Sequence, residues 1–150
     1  MISLQPLTDG NRSAIEALRI RPAQERFVNT VTDALLEAVE EPGGRAIQFG
    51  LYDDDTPVGF VMISDTVDEA GYISQYLWKL LIDREQQRRG YGSAALELVA
   101  DYFRDRGHTE MWTSTGKGEG SPIPFYEQNG FVQTGDIVFD NEVLLRRALT

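Results

Sequence analysis

The sequence predicts an α/β (α+β) fold: a mixed, partly antiparallel sheet of about six to seven strands flanked by about four helices. Three observations predict it. The chain has 150 residues, 41% of them hydrophobic, which suits one core and a single domain over 1–150. Strand-like and helical periodicities follow one another in the order β-α-α-β-β-β-α-β-α-β-β. The strand signal at 72–83 is apolar on both faces, as a central strand is.

Taken in order, residues 2–7 predict a strand closed by Thr8-Asp9-Gly10, and 11–19 a helix with Ile15 and Leu18 on one side. Pro22 interrupts that helix. A second helix is expected over 23–40, with Phe27, Val31, Leu35 and Val39 as its apolar stripe, stopped by Pro42-Gly43-Gly44. Residues 46–52 and 58–64 read as a hairpin joined at Asp53-Asp54-Asp55-Thr56. The aspartates lack the following carboxylates of a calcium loop, so a solvated turn is expected there.

In the central strand, alternation puts Tyr72, Tyr76, Trp78, Leu80 and Ile82 on one face and Leu77, Lys79 and Leu81 on the other. Residues 93–106 predict a helix lined by Leu96, Val99 and Phe103, with Gly107 as a left-handed cap. A strand at 109–115, a short helix at 123–129 and strands at 131–134 and 142–147 complete the chain.

Charge narrows the partners. With 24 acidic and 14 basic residues the formal net charge is -10, which argues against nucleic acid and anionic membranes, whose binding needs clustered Lys and Arg. The acidity suits a cationic ligand, although it serves solubility equally well. The absence of cysteine removes disulfides, thiolate metal sites and a cysteine nucleophile. No basic, apolar leader opens the sequence and no apolar run is long enough for a membrane span, so a cytoplasmic location is expected. No metal site is expected.

The chemistry-bearing segment is the passage from the central strand into the next helix, Leu80-Leu81-Ile82-Asp83-Arg84-Glu85-Gln86-Gln87-Arg88-Arg89-Gly90-Tyr91-Gly92-Ser93. Glycines at Gly90 and Gly92 let the backbone turn tightly where a helix begins, leaving N–H groups without intrahelical partners. Those groups, the helix dipole and the neighbouring Arg88 and Arg89 suit a phosphate or pyrophosphate. The spacing is neither that of a nucleoside triphosphatase loop nor that of a dinucleotide fingerprint.

Gln87-Arg88-Arg89-Gly90-Tyr91-Gly92 resembles the Q/R-x-x-G-x-G/A cofactor motif of the GNAT (GCN5-related) N-acetyltransferases. Pro124-Phe125-Tyr126-Glu127-Gln128-Asn129-Gly130-Phe131 resembles the family's F-Y-x-x-x-G-F segment. The order of elements also agrees over nearly the whole chain. Within the family, the run from Trp78 to Gly92 and Gly118-Glu119-Gly120-Ser121-Pro122 resemble the bacterial spermine and spermidine acetyltransferases. The resemblance implies a GNAT acyl-CoA N-acyltransferase fold, with acetyl-CoA as co-substrate and no metal.

It further implies that the amides of Arg88, Arg89, Gly90, Tyr91, Gly92 and Ser93 bind the pyrophosphate and that Gln87 shapes the loop entrance. Leu80, Leu81 and Ile82 would run beside the pantetheine arm, Leu80 and Ile82 offering backbone groups to it, where the central strand splays from the strand at 109–115. Tyr126 is the implied proton donor to the departing thiolate, since a phenol stays protonated at neutral pH. The position at which histone-type members carry a glutamate base is occupied by Tyr76. Glu142, Glu25 and Glu119 are the candidate bases, with Tyr76 and Glu142 expected on the acceptor side. His108, the only histidine, suits a helix-end or loop role, and Trp78 and Trp112 suit core or pocket wall.

The function implied is acetyl transfer directly to a primary amine of a small cationic acceptor such as a polyamine, in an enzyme for which the family suggests a homodimer. An antibiotic amine or a protein N-terminus are alternative acceptors. An acyl-CoA-binding sensory or scaffold module and a nucleotide-binding domain are the alternatives from other classes.

Overall fold

The computed structural model describes residues 1–20, 30–66 and 72–149. The described residues form a seven-stranded sheet: β1 (Ile2–Pro6), β2 (Ala46–Asp53), β3 (Thr56–Ser64), β4 (Tyr76–Ile82), β5 (Glu110–Thr115), β6 (Val132–Val138) and β7 (Glu142–Ala148), in spatial order β1-β2-β3-β4-β5-β7-β6. Every neighbouring pair is antiparallel except β4 and β5. Helices α1 (Arg12–Glu16) and α2 (Val31–Glu40) cover one face, and α3 (Tyr91–Asp105) and α4 (Ile123–Gln128) the other. The order of elements is the one the sequence predicts, with a 3-10 turn at Pro42–Gly44 added after α2.

Strand alternation divides the core. Phe60, Met62 and Leu81 pack with Ile15, Leu18, Val31 and Leu35 beneath α1 and α2. Val61, Ile63, Leu77, Met111 and Leu145 pack with Leu96, Val99, Phe103 and Tyr126 beneath α3 and α4. Burial of each such aliphatic or aromatic side chain contributes about 1.5–3 kcal/mol, so both layers hold the sheet.

Several expectations change. In β4 the register jumps from Met62↔Lys79 to Ile63↔Leu77, making Trp78 the extra residue of a β-bulge. Strict alternation therefore fails across it. Leu77, Leu80 and Ile82 face α3 and α4, whereas Trp78 and Leu81 face α1 and α2. The strand also begins at Tyr76 rather than 72, because Gln75 has φ +48°, outside the extended region.

In α2, Thr30 caps the first turn by accepting from the Asp33 amide at 3.1 Å. Val31 and Leu35 are buried, but Val39 is 76% exposed. A four-residue step overshoots the helical turn by about 40°, so the stripe has rotated off the core two steps later. Phe27, Pro22 and the 23–29 portion of the predicted helix lie outside the described residues.

Of the other elements, α1 is shorter than the helix expected over 11–19 and β6 is longer than the strand expected over 131–134, while the rest lie within two residues of their predicted bounds. Gly107 has φ +85° after α3, the left-handed conformation expected of it. Among the described residues no helix is long and apolar enough to cross a membrane.

Candidate functional site

The parallel pair β4–β5 is short. It joins Tyr76 to Trp112 and Leu77 to Thr113, after which the strands part. Thr113 Oγ1 donates to the Leu77 carbonyl at 3.0 Å and fastens the vertex of the split. A cavity lies on each side of the sheet beside it.

The first cavity, about 420 Å³, is on the α3/α4 side. Leu80 and Ile82 of β4, Gly90 to Ser93 at the start of α3, and Phe125 and Tyr126 of α4 line it, with Gln87 and Arg88 at its mouth. Arg88 has φ +66° and Gly90 φ +79°, a backbone path that turns successive N–H groups toward one concavity. The first N–H groups of α3 at Tyr91, Gly92 and Ser93 have no intrahelical acceptor. Gly92 is a glycine for a visible reason: a Cβ there would stand 2.9 Å from Phe125 Cζ, so the ring packs directly on the backbone. Gln87 Nε2 donates to the Ile82 carbonyl at 3.0 Å, closing the loop onto the strand end. Tyr91 Oη donates to Asp53 Oδ2 at 2.6 Å, tying the loop to the end of β2 and holding that carboxyl below its usual range. An amide-lined, Arg-flanked mouth above an apolar groove fits an extended ligand with a phosphate end.

Of the residues expected around the cofactor, Leu81 and Arg89 do not line this groove. Leu81 is buried on the α1/α2 side, and Arg89 is exposed. The other eight do.

Tyr126 sits at the inner end of the groove, between Phe125 and Phe131, with ring centroids 5.4 Å away on both sides. Burial pushes its phenol up to about 12, and the hydrogen bond with Thr113 opposes that rise. The hydroxyl is therefore protonated throughout the neutral range and lies at the split between β4 and β5.

The second cavity, about 1120 Å³, lies on the α1/α2 side. Its walls combine carboxylates at Glu37, Glu41 and Glu142 with aromatic rings at Tyr72, Tyr76, Trp78 and Phe139, and with Lys79 and Lys117. Because Trp78 is the extra residue of the bulge and Lys79 follows it, both reach one carboxylate: Trp78 Nε1 donates to Glu37 at 2.8 Å and Lys79 Nζ stands 3.2 Å from it. Tyr72 Oη donates to Glu41 at 2.6 Å. Tyr76 Oη contacts Ser114 Oγ at 2.6 Å, and Ser114 Oγ donates to Glu142 Oε1 at 2.9 Å. Burial raises the Tyr76 phenol well above its ordinary value, with the charge of Glu142 adding to the rise and the Ser114 bond opposing it.

Tyr76 and Glu142 are thus brought together on this side. Glu119 is exposed and lines neither cavity, and Glu25 lies outside the described residues. His108 also lines neither, its Nδ1 against Gln75 Nε2 at 2.7 Å and its Nε2 3.3 Å from Asp65. Trp78 forms cavity wall, as one of its expected roles had it. Glu37, Lys79 and Ser114 carry no motif. Ser114 is legible only as the polar member of the Trp112/Ser114 face of β5, and that face gains meaning once β4 is known to lie beside it.

Comparison with known proteins agrees with this geometry. The profile described as the acetyltransferase (GNAT) family matches residues 12–131. The ribosomal protein bS18-alanine N-acetyltransferase of Salmonella typhimurium is 30% identical over 105 residues, 70% of this chain and 62% of that enzyme, so the match spans less than two thirds of its length. The spermine/spermidine N(1)-acetyltransferase of Bacillus subtilis is 24% identical, with 99% of each chain covered. Among solved structures, an aminoglycoside acetyltransferase AAC(6')-Ib in complex with coenzyme A superposes with a TM-score of 0.75 at 14% identity, covering 99% of this chain and 95% of that one. A bulged central strand parting from its parallel neighbour, an amide-lined loop leading into α3 and a profile match across four-fifths of the sequence agree: the chain belongs to the acetyltransferase (GNAT) family.

Proposed function

We propose that this protein transfers an acetyl group from acetyl-CoA directly to a primary amine of a small cationic acceptor, a polyamine being the example the larger cavity suits. The observation that carries the proposal is the split between β4 and β5, with an amide-mouthed groove on one side and an acidic, aromatic cavity on the other.

Acetyl-CoA supplies the acyl thioester and a thiol leaving group. Its pyrophosphate would lie against the amides of Arg88 to Ser93, and Leu80 and Ile82 would flank its pantetheine arm. Tyr126 would hold a proton for the sulfur, a task suited to a phenol that remains protonated at neutral pH. On the opposite side, Glu37, Glu41 and Glu142 outnumber Lys79 and Lys117, which favours a positive ligand, and the rings of Tyr72, Tyr76 and Trp78 add cation–π attraction. The absence of cysteine agrees with direct transfer.

A second reading of the acceptor, a protein N-terminal alanine, is favoured by the identity to the Salmonella enzyme. Incubation with acetyl-CoA and a panel of spermidine, spermine, an aminoglycoside and an alanine-initiated peptide, read by free thiol and by acetylated-product mass, tests the proposal. Turnover is expected to be fastest with a polyamine. CoA binding without turnover on any amine would leave the sensory or scaffold module as the better reading.

A further inference from the structure

Acetyl transfer needs a neutral amine, whereas an alkyl amine with a pKa near 10 arrives at pH 7 carrying an extra proton. Resting on the acetyl-transfer reading above, we infer that Tyr76, Ser114 and Glu142 form a proton relay that removes this proton on the acceptor side of the sheet.

The direction of the relay follows from hydrogen counting. Ser114 has one hydroxyl hydrogen, and it is committed to Glu142 Oε1, an ionised acceptor, at 2.9 Å. At the 2.6 Å contact between Tyr76 and Ser114, Tyr76 is therefore the donor. Having given its hydrogen to Ser114, the Tyr76 oxygen retains lone pairs that can accept one more. All three residues line the acceptor cavity, and Tyr76 is also the strand residue paired with Trp112 at the vertex of the split.

In the transfer, an N–H bond of the bound ammonium breaks as its proton passes to Tyr76 Oη. The Tyr76 proton passes to Ser114 Oγ, and the Ser114 proton forms an O–H bond with the Glu142 carboxylate. The amine is left neutral with its lone pair free, and Glu142, which is half-buried, returns the proton to water. Tyr76 and Ser114 each lose and gain one proton. A buried phenol held above its ordinary pKa resists standing as phenolate, so Tyr76 takes up the ammonium proton in the same step in which its own passes to Ser114.

The other charged and titratable groups facing the relay have partners or different positions. Glu37 of α2 holds Trp78 and Lys79 of β4. Glu41 at the end of α2 accepts from Tyr72. Lys117 follows β5 along the cavity wall, and Tyr126 stands on the cofactor side. Of the cavity carboxylates, Glu142 is the one joined by hydroxyls to the vertex of the split.

The test is kcat/KM for the best amine across pH, on wild type, Ser114→Ala, Glu142→Gln, Ser114→Thr and the double variant S114A/E142Q. CoA affinity and thermal midpoint are measured on each. At pH 7, S114A and E142Q should each lose about 10²-fold, the lower range for general-base catalysis. The deficit should shrink to within about threefold as pH approaches about 10, where the acceptor arrives neutral. S114T, which keeps the hydroxyl, should recover most of the loss. The double variant should be no slower than the worse single one, because either change breaks the same chain. A deficit constant across pH, or none in S114A, would overturn the relay while leaving acetyl transfer standing. Wild type that binds CoA yet acetylates no amine would overturn both.

Discussion

At the scale of single residues, Tyr126 is the side chain whose environment most directly specifies a role. It is buried at the inner end of the groove between β4 and the start of α3, with its phenol pushed up to about 12 by burial. Because its folded-state pKa lies above the ordinary value of about 10, the proton is fully held below pH 10 and lost only as pH rises through about 12. Tyr126 ionisation should therefore cause no fall in kcat between pH 7 and 10, which a pH profile with a saturating amine can check. Tyr126→Phe should lower kcat by about 10²-fold with CoA affinity within about threefold, as expected for loss of a general acid. Equal losses in kcat and CoA affinity would instead indicate a structural ring.

Gly90, Gly92 and Tyr126 stand within motifs, so the sequence singles them out as candidates, and Tyr76 is found by its spacing from Gln87. Ser114 and Glu37 were not legible in it, since a serine in an alternating strand and a glutamate on an amphipathic helix are both ordinary until the neighbouring element is known.

At the scale of elements, the sequence periodicities located every described strand and helix, and they failed where the backbone leaves its period. The Trp78 bulge is the main case. One unpaired residue moves Trp78 and Lys79 together onto Glu37 and returns Leu80 and Ile82 to the α3/α4 side. Alternation alone places Tyr76 and Leu80 on one face, because nothing in Leu77-Trp78-Lys79 announces the extra residue.

Gly59 holds the adjoining part of the sheet. It pairs with Ile82, and a Cβ at this position would lie 2.5 Å from the Leu81 carbonyl oxygen, a backbone atom that cannot swing away. Gly59→Ala should destabilise the protein by about 1–3 kcal/mol, as overpacking does. Denaturant unfolding would check this, and an unchanged midpoint would contradict the close approach of β3 and β4.

At the scale of the whole molecule, the net charge of -10 is compatible with the anion site proposed at the start of α3, because that site draws on local amides and Arg88. Arg88 stands at the amide-lined mouth, while Glu37, Glu41 and Glu142 outnumber Lys79 and Lys117 in the cavity across the sheet. The total charge was legible in the sequence; its separation by the sheet was not, because it depends on which strand faces which helix. Ligand linkage provides a check on the cofactor side. CoA at about 100 times its dissociation constant should add about 2.7 kcal/mol, raising the thermal midpoint by about 5–10 °C in a domain of this size. ATP at the same concentration should raise it less, and an equal or larger shift would favour a nucleotide site.

The central claim is that thioester and amine approach from opposite faces and meet where β4 and β5 part. A conjugate joining CoA to a polyamine through an acetyl linker tests it most directly, by equilibrium binding with each half as competitor. Binding about 10²-fold or more tighter than CoA alone is expected, with displacement by either free CoA or free polyamine, because linked ligands gain effective concentration only when both sites are reachable together. A conjugate that binds no more tightly than CoA, or that polyamine does not displace, would contradict the meeting of the two cavities.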